Sequence, residues 1–170
     1  VDQAQAEVYQ VTERRASEDY VILNELLEQT FDEMERISKG VGPEGVLTGF
    51  RDLDKLTNGF HPGNMIVLAA RPAVGKSTLA LDIVRNAAIH EKKTSVIFSL
   101  EMSRSEITMR MLSAEARVAL NNIRSGALSD DEWARLARRM GEISDAPLFI
   151  DDSPNLSMME IRAKARRLKQ

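Results

Sequence analysis

The chain contains no cysteine, which removes disulfides, thiolate catalysis and zinc–thiolate sites from consideration. Its two histidines, His61 and His90, stand far apart and without carboxylate-rich company, so no metal site is expected on them. Aromatics are few: five Phe, two Tyr and one Trp, too scattered for a base-stacking platform. Long hydrophobic runs are missing as well. The longest, Met65 to Ala70, is six residues, against the ~20 that a membrane-spanning helix needs. The opening VDQAQAEVYQ has no apolar signal core, so the expected location is the cytoplasm, with no membrane attachment. Nor is there an excess of positive charge. Lys and Arg number 23 against 26 Asp and Glu, a net of −3, which argues against a general nucleic-acid coat. What the 170 residues do hold, 43% hydrophobic and 29% charged, suffices for a core and a charged surface. The chain begins with Val and ends within a helical pattern, so it is expected to be a piece of a longer protein.

Residues 1–16 read as a polar lead-in. Tyr20, Leu23, Leu27, Phe31, Met34 and Ile37 then fall at steps of three and four, which predicts a helix over 17–39 with one apolar stripe. Ser17 is the expected cap, with Asp19 in the first turn. Gly40, Gly42, Pro43 and Gly45 end it. An isolated helix of this length needs a partner for its stripe, and the spacing fits packing on its own domain or on a neighbouring subunit.

Residues 40–170 alternate between strand and helix patterns. Met65–Ala70, Ser95–Leu100 and Pro147–Asp151 are expected to be buried strands, from their continuous apolar and β-branched content. Thr78–His90 reads as a helix. Ser103 with Glu106, Ser129 with Glu132, and Ser157 with Glu160 predict capping boxes that open three more. The order predicts an α/β fold, a parallel sheet flanked by helices on both faces. Met102, Met109 and Met111 are expected to fill core, and Trp133 to pack on the apolar face of its helix. Arg104 and Arg110 read by default as surface, with a phosphate or a neighbouring subunit as the other partner they could reach. The basic run Arg162, Lys164, Arg166, Arg167 and Lys169 reads as a solvated face, with nucleic-acid contact the less favoured alternative.

The chemistry is concentrated at Ala70-Arg71-Pro72-Ala73-Val74-Gly75-Lys76-Ser77-Thr78, between an apolar strand and a helix. Amides of a tight loop and a helix start converge there on a phosphate chain, aided by the helix dipole. Gly75 lets the backbone approach; Lys76 supplies a mobile cation, and the Ser77 hydroxyl a Mg²⁺ ligand. The pattern G-x-x-x-x-G-K-[ST] begins here with Ala70 in place of Gly. Glu101, at the carboxyl end of the second strand, stands where ligands gather in open α/β sheets and can orient or deprotonate water. By spacing alone it also fits an ordinary surface Glu. Asp151 and Asp152 close the third strand and fit either a Mg²⁺-holding acid or a structural cap.

TGFRDLDKL at Thr48–Leu56, Gly59, Pro62-Gly63, AARPAVGKST and FSLEMS at Phe98–Ser103, continued by IRSGALSDDEWARL and LFIDDSPNLSMMEIRAKARRLK, resemble the bacterial replicative hexameric DNA helicases of the DnaB family. The resemblance covers residues 17–170, spacing included. It implies a RecA-like P-loop NTPase fold, incomplete in this chain, preceded by an isolated linker helix that docks on the adjacent subunit of a homohexamer. In that family Ala is common at the position of Ala70, and the catalytic glutamate of S-L-E-M maps onto Glu101. ATP and Mg²⁺ are the implied cofactors, bound by residues 71–78 with Lys76 also catalytic. Single-stranded DNA, primase and a helicase loader are the implied partners, the last two through parts outside this chain. The family's Walker B aspartate lies beyond the last helix here, so the resemblance argues against Asp151 and Asp152 as the Mg²⁺ acid. With that strand outside the chain, the segment alone is expected to bind nucleotide poorly and to turn over almost none. An intein junction at Gln170 is one reading of its end.

Two rival functions remain at this level. A RecA-like recombinase or clock-type ATPase would share the core, but not the Thr48–Leu56 stretch and the linker helix. A non-catalytic module, ordered into an assembly by nucleotide, would have no need of Glu101. A small-molecule P-loop kinase is more distant still, for want of a lid or acceptor signature.

Overall fold

A computed structural model describes residues 21–39 and 45–169. The chain divides into two units, one ending at Pro43 and one starting at Glu44. The first contributes a helix, α1 (Leu23–Ser38), with none of its residues buried. Leu23, Phe31, Met34 and Ile37 are all more than half exposed. The expected stripe is therefore present, but the helix starts later than its spacing suggests. Ile22 is the N-cap, in an extended conformation and with no side-chain cap bond. The β-branched pair Val21 and Ile22 favours extended backbone. Ser17, Asp19 and Tyr20, the 1–16 lead-in and the break at Gly40, Gly42 and Pro43 lie outside the described residues.

The second unit begins with a looped neck. Val46 and Phe60 form an antiparallel bridge around α2 (Arg51–Thr57). Asp54 organises the entry to that helix: it accepts from the Thr48 amide at 2.8 Å, the Thr48 hydroxyl at 2.6 Å and the Gly49 amide at 3.2 Å. Those bonds, the Thr48 hydroxyl first, hold its carboxyl below the usual range. So in the TGFRDLDKL stretch a helix side chain ties down the turn that leads into the helix, with Thr48 buried at its centre.

Helix α3 (Lys76–Arg85) follows the phosphate-loop sequence and runs into a π-helical turn, Asn86–His90, whose Ala87, Ala88 and Ile89 are buried. Strand β1 (Ser95–Phe98) leads to α4 (Arg104–Ala116), α5 (Leu120–Ser125) and α6 (Asp130–Ile143). Strand β2 (Leu148–Asp151) pairs in parallel with β1, Ser95 opposite Leu148 and Phe98 opposite Asp151, and α7 (Met158–Lys169) ends the chain. One core cluster joins Leu81 of α3 to Ile107 and Met111 of α4, with Ile97, Leu148 and Ile150 packed on it from the sheet. A second joins Ala116, Val118 and Leu136 between α4 and α6.

The α/β class is as expected, and three details differ. Met65–Ala70 pairs with no strand among the described residues, and Met65 and Val67 are 88% and 75% exposed. Its Leu68 lines an apolar cleft of about 460 Å³ together with Ile97 and Phe98 of β1, and among the described residues no backbone hydrogen bond joins the two segments. A strand exists only with a partner at bonding distance. Second, the first core cluster packs on the sheet face bearing Ile97, Leu148 and Ile150, and among the described residues the opposite face is only partly covered, with Val96 and Phe98 half-buried and Phe149 46% exposed. Third, Trp133 is 57% exposed, because α6 buries only Leu136 against its neighbours. The methionines behave as expected, Met111 buried and Met102 and Met109 half-buried.

The capping boxes divide. Ser129–Glu132 and Ser157–Glu160 are reciprocal, each hydroxyl accepting the third amide and each carboxylate accepting the serine amide. At α4 the Ser103 hydroxyl caps the Glu106 amide, but the Glu106 carboxylate turns away to Arg110 and Arg124, each at 2.8 Å.

Candidate nucleotide site

Ala70 to Thr78 folds as a loop that turns straight into α3. The Val74 amide bonds the Arg71 carbonyl at 3.3 Å, Ala73 takes φ 64°, and Gly75 takes φ 101° as the helix N-cap. A side chain at Gly75 would meet nothing within 4 Å, so its backbone angle, and no crowding by protein, is what calls for glycine. The first amide to enter the helical ladder is that of Leu79, on the Gly75 carbonyl at 3.0 Å. The amides of Lys76, Ser77 and Thr78 precede the ladder and have no acceptor among the described residues. They are the free donors of a helix start, and with the dipole they favour an anion.

These residues line a cleft of about 560 Å³ with Ala70, Arg71, Pro72, Ala73 and Gly75. Glu101, Met102, Glu106 and Arg110 form its other wall. The structure thus brings every predicted loop residue except Val74, whose side chain is 70% exposed, into one cleft with Glu101. Glu101 is placed by a turn that sequence reasoning overlooked. The buried Ser99 hydroxyl donates to the Met102 carbonyl at 2.7 Å and accepts from the Met102 amide at 3.0 Å, bracketing Leu100 and Glu101. Ser99's own amide bonds Asp151, which ties that turn to the sheet.

Glu106 was also missed as part of this wall, and Arg110 takes the less favoured of its sequence readings by lining it. Arg110 hydrogen-bonds Glu106 and, with the nearby Arg124, keeps the Glu106 carboxyl below its ordinary range. A short i,i+4 pair on one helix turn fixes where the Arg110 guanidinium sits. Of the two readings of Arg110, its place in the cleft wall favours the one that reaches a phosphate, while Arg104 stays on the surface, paired at 2.6 Å with Asp152.

Asp151 and Asp152 do not face the cleft. Asp151 pairs with Lys164 and accepts from the Ser153 hydroxyl at 2.6 Å, and these hold its carboxyl down to about 2. Asp152 accepts from the Arg104 side chain and amide, which lower it too. Both serve the sheet end, joining β2 to α7 and α4. In the basic run, Lys164 is used in this way and Arg162, Arg166 and Arg167 are exposed. Among the described residues no group of three His, Asp or Glu is placed to hold a metal ion. Ser77 is the candidate ligand, which suits a Mg²⁺ that takes few protein oxygens and the rest from phosphate and water. No described helix is long and apolar enough to cross a membrane.

The comparisons with known proteins agree with this geometry. Residues 45–170 match the family described as DnaB-like helicase C terminal domain. The whole chain is 56% identical to replicative DNA helicase DnaB of Leifsonia xyli and 40% identical to that of Geobacillus stearothermophilus, of which it spans 37% and 38%. The chain thus covers well under half the length of these relatives. Among solved structures, the ATPase domain of G40P superposes with a TM-score of 0.78 at 30% identity, over 89% of this chain and 53% of that one. A DnaB-like replicative helicase, solved for its interactions with primase, gives 0.77 at 27% identity over 99% of this chain and 40% of that one. Fold, phosphate loop and sequence lead to one conclusion: this chain belongs to the DnaB-like replicative DNA helicases.

Proposed function

We propose that this segment is part of an ATP-driven helicase motor, with Mg²⁺–ATP bound in the Lys76–Glu101 cleft. The observation that carries the reading is the pairing of free helix-start amides and Lys76 on one wall with a carboxylate, Glu101, on the other. The amides of Lys76, Ser77 and Thr78 and the Lys76 ammonium hold the β- and γ-phosphates and balance their charge. The Ser77 hydroxyl would hold Mg²⁺, which would supply positive charge against the phosphates. Glu101, steadied by the Ser99 turn, accepts a hydrogen bond from the attacking water and takes its proton as the oxygen bonds to the γ-phosphorus. ADP leaves with the electron pair of the broken bond. Arg110, held by Glu106, adds positive charge at the rim.

The linker segment 17–39, which contains α1, is the piece through which one subunit grips the next in a homohexameric ring, and the exposed stripe of α1 supports this. The ring moves on single-stranded DNA, and primase and a loader are engaged through other parts of the whole protein. A motor domain preceded by a linker helix is the division this implies, at residues 17–39 and 40–170, with cytoplasmic replication as the setting.

The test is ATP turnover on the protein extended to the length of its relatives, with and without single-stranded DNA, beside Glu101→Gln. DNA-stimulated turnover that falls roughly 10²–10⁴-fold in the variant, with nucleotide still bound, is expected. Turnover indifferent to DNA, or to the substitution, would sink the reading.

A further inference from the structure

A second cationic cleft lies apart from the nucleotide loop. Arg117, Arg135, Arg138 and Arg139 surround a concavity of about 360 Å³, floored by Glu115 and Ala116. Two elements build it. Arg117 is the left-handed C-cap of α4, at φ 51°, a conformation disfavoured for a side-chain-bearing residue. Arg135, Arg138 and Arg139 fall at i, i+3 and i+4 on α6, beside Leu136, which packs on Ala116 and Val118 and so fixes α6 against the end of α4.

The acids nearby do not neutralise this set. Glu115, 7% exposed, is held by Arg85 and by His90 at 3.3 Å, and among the described residues Glu142 pairs with Arg139. Glu132, which feels the charge of Arg135, is bonded to Ser129 and Asn122. Arg117, Arg135 and Arg138 have no ion-pair partner among the described residues. In a chain of net charge −3, cations gathered at one concave place stand out. Guanidinium forks match phosphate oxygens two at a time.

We propose that this cleft binds a linear polyphosphate chain, free or carried by a nucleoside. Its size and charge favour that class. The three α6 arginines span about 6 Å of helix axis, a chelating set for a compact polyanion and a short track for a nucleic-acid backbone. No aromatic lines it to stack a base, and no large apolar side chain lines it to anchor a peptide.

The experiment is calorimetric titration of inorganic tripolyphosphate into the full-length protein whose phosphate loop is already filled with a non-hydrolysable ATP analogue. Parallel titrations use a nucleoside polyphosphate and a single-stranded oligonucleotide. One tripolyphosphate per chain is expected. Arg135→Glu with Arg138→Glu should weaken it roughly tenfold or more, and Arg135→Lys with Arg138→Lys by less, since lysine keeps charge and loses the fork. Both positions are exposed, so an unchanged thermal midpoint checks folding, and the lysine pair serves if the glutamate pair fails it. A nucleoside form that binds equally marks recognition of the chain alone; tighter binding adds the nucleoside, and both support the site. No binding beyond the filled loop, binding that ignores both variants, or loss of oligonucleotide binding alone would overturn it.

Discussion

Met65–Ala70 and Ser95–Phe98 are alike in sequence: short, apolar and β-branched. They differ completely in their surroundings. Ser95–Phe98 has β2 at its side and the Ile107–Met111 cluster beneath it, and all four of its residues are half-buried. Met65–Ala70 has neither, and Met65, Val67 and Ile66 are more than half exposed. Strand composition expresses a need for neighbours on both edges and a face to cover. Whether the need is met is decided by residues distant in sequence.

The contrast can be broken most sharply by truncating a side chain in each region. Ile107→Ala, at a fully buried site, should destabilise by about 2–5 kcal/mol. Val67→Ala in the same 170-residue chain should stay within about 0.5 kcal/mol. Urea unfolding of both variants checks this, and equal losses would mean that Val67 has a partner the contrast denies it. A smaller effect tests the loop. Gly75→Ala forces a side chain to φ 101° and should cost about 1–3 kcal/mol, with weaker binding of a fluorescent ATP analogue. Gly126→Ala carries a like strain, at φ 72° and with equally empty space, far from the cleft in sequence. It should lower stability and spare nucleotide affinity; loss of affinity in both would make the effect global.

The smallest effect is in pH. Asp151 sits at about 2, below its ordinary 3.8, chiefly because Lys164 bonds its ionised form. A lowered folded-state value adds stability that is complete above the ordinary value and lost as pH falls from 3.8 through about 2. Lys164→Met should flatten that part of the acid-stability curve. Identical wild-type and variant curves between pH 5 and 2.5, taken as ~half-unit steps, would remove Lys164 as the cause.

How much of this was legible depends on how local each signal is. The phosphate loop was readable because a few adjacent residues carry it: a glycine for one backbone angle, then Lys76 and Ser77 at a helix start. The boxes at Ser129 and Ser157 were readable for the same reason. Glu101 was marked by its place at a strand end, but only family resemblance favoured it over an ordinary surface Glu, since its placement rests on a turn stitched by Ser99 and on a sheet bond to Asp151. Glu106 kept its serine cap and lost its half of the box because Arg124, eighteen residues on, competes for the carboxylate at 2.8 Å. Spacing cannot rank such rivals. Trp133 fitted its helical stripe, yet a stripe says which face is apolar and not how wide the covering surface is.

The neck at Val46 and Phe60 has an evolutionary consequence. A side chain on Gly45 would lie 2.7 Å from the Asn58 carbonyl, and one on Gly59 2.7 Å from Gly45, so each glycine blocks change at the other. Helix α2, which the neck encloses, buries none of its residues. Substitutions drifting into this loop should therefore accumulate on the outer side of α2 and be purged at its two glycines, where backbone meets backbone and no compensating exchange of side chains is available.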